Sequence, residues 1–137
     1  MKNNRYGFCF VFNDDGQVLV LRRSHTARSR PGEWDLAGGV IEDHETIEEG
    51  VKREVFEEAG LAVECLEFVT SRSGEWYGEH HEFSYYRANT PTPNVVLSPE
   101  HSSYEWHLPL VASSMVGYKP HRAAYSYIVD SNPLTVQ

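Results

Sequence analysis

The sequence predicts an α/β fold, in the α/β or α+β class, over a single domain of residues 1–137. Three observations carry that expectation. A chain of 137 residues with 40% hydrophobic and 23% charged content is ordinary for a soluble domain that buries its own core. Short runs rich in aromatic and β-branched residues alternate with helical apolar spacing. No internal repeat, low-complexity tract or linker divides the chain.

The elements follow in order. Tyr6 to Phe12 is dense in aromatic and β-branched residues, and Gln17 to Leu21 in aliphatics. Asn13-Asp14-Asp15-Gly16 lies between them and ends in Asp-Gly, which predicts a hairpin. Ser24 to Gly32 reads as a polar loop, and Trp34 to Ile41 as a short extended segment interrupted by Gly38-Gly39. Thr46 to Ala59 is the clearest helix. Ile47, Val51, Val55 and Ala59 recur at i+4, and Gly60 stands where a C-terminal glycine belongs. Phe56 falls off that stripe and is expected to meet a second packing partner. Ala62 to Thr70 and Glu82 to Arg87 read as strands joined through a Ser71 to Gly74 turn. Asn89 to Pro99 holds three of the seven prolines and reads as a loop. Ser102 to Trp106 suggests another strand, and His121 to Val129 a last helix.

Composition excludes several functions. Twenty Asp and Glu against twelve Lys and Arg give a formal charge of -8, a surface that repels phosphate backbones. Binding to a nucleic-acid polymer is not expected. Cys9 and Cys65 lie far apart in apolar surroundings and read as core thiols, with no disulfide framework and no zinc spacing. No apolar run approaches the roughly 18–20 residues that cross a bilayer, so no membrane partner is expected and the default location is cytoplasmic.

The chemistry concentrates in Gly39 to Leu61, which reads GVIEDHETIEEGVKREVFEEAGL. Glu54, Glu57 and Glu58 stand at i, i+3 and i+4, within one arc of the predicted helix. Carboxylates that close repel one another unless cations sit among them, and oxygen-only ligands favour Mg²⁺ or Mn²⁺ over Zn²⁺. Residues 42–58 carry eight acids against two bases, most of the net charge of the chain. A solvated acidic face would need neither the bounding glycines nor an Arg at one set place.

This segment matches G-x5-E-x7-R-E-U-x-E-E-x-G-U, with U apolar, at Gly39, Glu45, Arg53, Glu54, Val55, Glu57, Glu58, Gly60 and Leu61. On these residues the protein resembles the Nudix hydrolases. The resemblance implies an α/β/α sandwich with a mixed sheet between helices, and hydrolysis of a phosphoanhydride bond in a nucleoside diphosphate derivative. It further implies that Glu57 and Glu58 hold Mg²⁺ (Mn²⁺ as a substitute), that Glu54 binds metal or activates water, and that Arg53 orients the glutamates. The Gly38 carbonyl is an implied metal ligand, and Glu45 an implied structural residue near the helix start. Many members carry Pro where this chain has Ala37, and Gly where it has His44, which bears on loop shape and substrate fit.

Outside the segment, Glu100 precedes Trp106 as in several nucleoside triphosphate pyrophosphohydrolases and is the candidate for a further metal ligand, with Glu105 second. Arg23-Ser24-x3-Arg28-x3-Gly32 resembles a coenzyme A pyrophosphatase signature. Tyr77, sixteen residues after Leu61, resembles a mark of dinucleoside polyphosphate hydrolases. Arg22, Arg23, Arg28 and Arg30 are candidate phosphate contacts, because a guanidinium fork matches phosphate oxygens. Trp34, Trp76 and Tyr77 are candidates to stack on a base, and His80-His81 alternates across a strand. The leading expectation is cleavage of a (d)NTP to NMP and pyrophosphate. Coenzyme A or dinucleoside polyphosphate hydrolysis and non-catalytic nucleotide sensing are the alternatives. Relatives of this kind are frequently homodimers. A diphosphate isomerase on the same fold would want a cysteine close to Ala37, and the sequence places none there.

Overall fold

The computed structural model describes residues 4–76 and 78–131. Its strands are β1 (Arg5–Phe12), β2 (Val18–Arg23), β3 (Trp34–Asp35), β4 (Ala37–Val40), β5 (Glu67–Trp76), β6 (Glu79–Asn89) and β7 (His101–His107). The helices are α1 (Ile47–Ala59), α2 (Pro109–Met115) and α3 (Lys119–Ser131). Among the described residues these strands form one mixed sheet, in which β1 and β6 run parallel and the other pairs antiparallel. No described helix is long and apolar enough to cross a membrane.

Period-two alternation sorts β1 and β2 onto two cores. Phe8, Phe10, Phe12, Val18 and Val20 join α2 and α3 on one face, with Ala112, Ala124, Tyr125 and Ile128. Cys9, Val11, Leu19 and Leu21 join α1 on the other, with Val51, Val55 and Ala59. Both faces are covered, which is why these strands read as continuous apolar runs. The result is the sheet between helices expected from the sequence.

The sheet forks beside β1. One edge of β1 pairs with β6 along its length, whereas the other pairs with β4 over Tyr6 to Cys9 and with β2 at Phe12. The segment from Trp34 to Val40 crosses that fork, pairing first with β2 and then with β1. Its break therefore lies at Leu36, where the partner changes, and the glycines expected to interrupt it sit inside β4. Gly38 has φ 148, and a Cβ there would lie 2.2 Å from the Gly7 carbonyl oxygen. Only glycine allows β4 so close to β1.

Other boundaries also differ from expectation. Ser71 to Gly74 is not a turn but part of β5, paired opposite Ser84, Phe83, Glu82 and His81. Small polar residues suit this edge strand, and left-handed Gly78, at φ 76, lies where the strands reverse. Ala62 to Leu66 is irregular, bent at Cys65 with φ 54, and the Cys65 side chain is exposed, so only Cys9 is a core thiol. Phe56 is 60% exposed and meets no second layer. Helix α2, unannounced by any long periodic stripe, begins with Pro109, and α3 starts two residues before His121.

Candidate active site

Helix α1 begins at Thr46, whose hydroxyl accepts from the Glu49 amide at 3.1 Å while the Glu49 carboxylate accepts from the Thr46 amide at 2.8 Å. This reciprocal box satisfies two otherwise orphan donors. Gly60 closes the helix in the left-handed conformation, its amide donating to the Phe56 carbonyl. Val51, Val55 and Ala59 are fully buried against the sheet, so the opposite edge of the same helix carries the charged residues.

Arg53 ties that edge together. Its Nη2 and Nε donate to the two Glu45 oxygens at 2.7 and 3.1 Å, and Nη2 also to the Val40 carbonyl at 3.1 Å. Its Nη1 donates to Glu54 at 2.8 Å and to Glu57 at 3.2 Å. The Arg53 hydrogen bond holds the Glu45 carboxyl down at about 2, aided by the Glu42 amide that donates to it at 2.8 Å. Glu45 thereby anchors Arg53.

The glycine pair lies against the same glutamates. The Gly38 amide donates to Glu58 Oε1 at 3.0 Å, and a Cβ on Gly39 would lie 2.8 Å from Glu54 Oε2. Glu58 is 7% exposed. Burial pushes its carboxyl well above the usual range, and the nearby Glu54 charge adds to that despite the opposing Gly38 amide. Among the described residues no three Asp, Glu, His or Cys side chains gather as a ready-made metal centre. Glu57 instead stands half in solvent against Arg53. The donors nonetheless fit Mg²⁺ or Mn²⁺. They are all oxygens, and Glu58 is a buried carboxylate whose charge its surroundings disfavour until a cation balances it.

A cavity of about 610 Å³ opens beside Gly38 and Gly39, walled by Tyr6, Phe83 and Tyr118 and by Arg23 and Arg30. Asp35 fixes the two arginines. Its Oδ2 accepts from Arg23 at 3.1 Å and Arg30 at 3.2 Å, and its Oδ1 lies 2.9 Å from His121 Nε2. Burial alone would raise the Asp35 carboxyl, but His121 and then Arg30 outweigh it and leave it at about 2. His121 is fully buried, and burial pushes its imidazole down against the pull of Asp35. Its Nδ1 meets the Tyr85 hydroxyl at 2.8 Å. Arg30 stands at φ 48, unusual for a side chain other than Gly, with its guanidinium 4.1 Å above the Tyr118 ring.

The structure gathers Gly38, Arg53, Glu54, Glu57 and Glu58, with Arg23 and Arg30 in the adjoining cavity, but scatters the other candidates. Glu100 and Arg28 line a second cavity of about 370 Å³ that shares Arg23 with the first. The Ser98 amide two residues earlier donates to the Glu58 carbonyl at 3.3 Å. Glu105 is exposed and hydrogen-bonded to His107 at 2.6 Å. Arg22 donates to the Gly32 carbonyl at 3.0 Å and hangs over Trp34, which packs on the core rather than lining either cavity. Tyr77 lies outside the described residues, as does the Trp76 side chain. His80 and His81 alternate on β6 as expected, and His81 stacks on Tyr6. Cys9 pairs in register with Ala37, closer than the sequence showed, but it is buried and its thiol is pushed far up by desolvation. Asp35, His121, Tyr6, Phe83 and Tyr118 were missed, because no spacing in the sequence joins them.

A sequence model of the NUDIX domain matches residues 2–128. The chain is 48% identical over 59 residues to a MutT-like protein of Streptomyces ambofaciens, a stretch covering 43% of this chain and 35% of that protein. It is 39% identical over 75 residues to the oxidized purine nucleoside triphosphate hydrolase of Mus musculus, 50% of this chain and 48% of that one. The chain thus spans less than half the length of these two curated relatives. The crystal structure of a MutT protein from Methanosarcina mazei Go1 superposes with a TM-score of 0.75 at 25% identity, covering 94% of both chains. With the domain match running through nearly the whole described fold, and the motif residues assembled around Arg53, the chain belongs to the Nudix family.

Proposed function

We propose that this protein hydrolyses a phosphoanhydride bond in a nucleoside diphosphate derivative, with a (d)NTP yielding NMP and pyrophosphate as the reference reaction. One observation carries this reading. Arg53 holds Glu54 and Glu57 beside a glycine pair that covers buried Glu58, at the mouth of a cavity lined by aromatic rings and arginines. The relative named for hydrolysis of oxidized purine nucleoside triphosphates supports the same substrate class.

Glu54, Glu57, Glu58 and the Gly38 carbonyl would hold Mg²⁺ or Mn²⁺. Bound there, the ion supplies charge neutralisation on phosphate oxygens and a lowered pKa for water. Arg53 keeps the glutamates in register, so their mutual repulsion does not splay them. Glu54, beside Gly39, accepts the proton of the attacking water. Water oxygen bonds to phosphorus, the bridging P–O bond breaks, and the electron pair leaves on pyrophosphate. Tyr6, Phe83 and Tyr118 offer one aromatic wall for the base or a ring of the leaving group. Arg23 and Arg30, preset by Asp35, meet phosphate oxygens without first having to be ordered.

The test is product identification by chromatography, with Mg²⁺ and dNTPs, NTPs, ADP-ribose, coenzyme A, a diadenosine polyphosphate and a nucleotide sugar. The expected result is one monophosphate plus its partner product from at least one compound, lost at least about a hundredfold in Glu57→Gln. Nucleotide binding without turnover across the panel would favour a sensor. Full turnover in Glu57→Gln would remove Glu57 from the reacting centre.

A further inference from the structure

Beside the cavity just described lies a recess of about 560 Å³, most of whose lining the reaction above does not use. It shares Arg30, Phe83 and Tyr118 with the first cavity, so the two are continuous across the Arg30–Tyr118 stack. Its further walls bring Arg72 from β5 and Lys119 from the start of α3, with Glu33 as the one acid among its described lining residues. Three cations against one acid is a local reversal of sign on a chain of formal charge -8.

These cations are arranged for a ligand rather than for one another. Neither Arg72 nor Lys119 makes an ion pair with a described residue, whereas Arg23, Arg53 and Lys52 all do. Arg30 spends Nη2 on Asp35, but its Nη1 is buried and has no hydrogen-bond partner, with Glu33 no nearer than 3.8 Å. Phe83 and Tyr118 stack at 25° with centroids 6.4 Å apart and give the recess an apolar side wall. The first turn of α3, which carries no acid, adds the positive end of its helix dipole.

We infer that this recess is a subsite for a second phosphate, carried by the substrate away from the anhydride that is cleaved. The inference rests on the nucleotide reading above and narrows it. A nucleotide held by its diphosphate at Gly38–Gly39 and by a ring against Phe83 and Tyr118 presents any remote phosphate to Arg72 and Lys119. Within the proposed class, substrates bearing such a group are favoured over plain triphosphates. The group is a phosphate monoester on the ribose or the phosphate that joins a second nucleotide, and both present anionic non-bridging oxygens to the cations.

The test uses ligands that do not turn over, because they contain no anhydride or because they are run in the Glu57→Gln variant. The whole protein in Mg²⁺ is titrated calorimetrically with the 5′-monophosphates of adenosine and guanosine, then with the corresponding 3′,5′- and 2′,5′-bisphosphates. Diadenosine polyphosphate is run in the Glu57→Gln variant as the second-nucleotide arm. At least one doubly phosphorylated ligand is expected to bind about tenfold or more tightly than its monophosphate, as one added charge-assisted contact allows. The preference should fall to parity in the double variant R72Q/K119Q with monophosphate affinity unchanged, and should grow in Glu33→Gln. Arg72 and Lys119 are exposed, so the double variant is expected to fold, and the opposite sign of Glu33→Gln guards against a merely damaged protein. Monophosphate binding with no preference for any second phosphate, or a preference that survives R72Q/K119Q, overturns the subsite and leaves the nucleotide reading standing. No binding of any nucleotide brings down both.

Discussion

Asp35 is 3% exposed, yet it carries a full charge between two arginines and a histidine. A lone carboxylate buried that deeply would take up a proton, but His121 and Arg30 hold Asp35 ionised, down at about 2. The folded value lies below the ordinary 3.8, so its contribution to stability is complete above about pH 4 and is lost as pH falls toward 2. Asp35→Asn removes the charge that Arg23 and Arg30 share, leaving Arg23 on Ser29 and Arg30 on the Tyr118 ring. The expected loss is about 3 kcal/mol at pH 7, the scale for breaking a buried ion pair from one side. Urea unfolding of both proteins across pH 2 to 7 checks the sign. The gap between them should narrow below pH 4, and a gap constant down to pH 2 would mean that Asp35 carries no partnered charge.

At the level of elements, α1 was legible because everything that defines it is local. Its stripe, its cap at Thr46, its closing Gly60 and its three glutamates lie within fifteen consecutive residues. Thr46→Ala should cost about 1 kcal/mol by loss of the capping box. What the helix packs on was not legible. A Cβ on Gly7 would lie 2.6 Å from Val51 Cγ2 and 2.9 Å from Ile41 Cδ1, so β1 and α1 touch where no side chain fits. Val51 is buried and β-branched, with little rotamer freedom to yield. Gly7→Ala should therefore destabilise by about 1–3 kcal/mol, the usual cost of overpacking, rather than gain strand propensity. Because α1 must lift, turnover should fall with it, and thermal melting beside an activity assay reads both effects. The β5–β6 hairpin was misread for the converse reason. Ser71 to Gly74 has turn-like composition, but composition does not reveal that the opposite strand supplies a partner for each residue.

Across the whole molecule the same division separates the two halves of the site. The acidic half was readable because i, i+3 and i+4 spacing fixes which carboxylates share a face. The aromatic half was not, because Tyr6, His81, Phe83 and Tyr118 meet only through the parallel pairing of β1 with β6 and the docking of α3. Parallel pairing sets no local spacing, so a single sequence cannot announce it. The acidic half also concentrates charge. Without a cation the folded chain must hold Glu54 and Glu58 together and keep Glu58 buried, whereas the unfolded chain need not. Mg²⁺ binding to the fold alone should thus stabilise it, by about 2.7 kcal/mol at a hundredfold excess over Kd. For a chain of this size that is a rise in Tm of roughly 9 °C. Glu58→Gln should behave in the opposite way on both counts. It relieves the buried charge and keeps an acceptor for the Gly38 amide, so its metal-free Tm should equal or exceed that of the native chain. It removes a ligand, so its Tm should scarcely respond to Mg²⁺. Differential scanning calorimetry of the two proteins with and without Mg²⁺ decides the matter. Equal metal-induced shifts in both would place the cation elsewhere on the acidic surface.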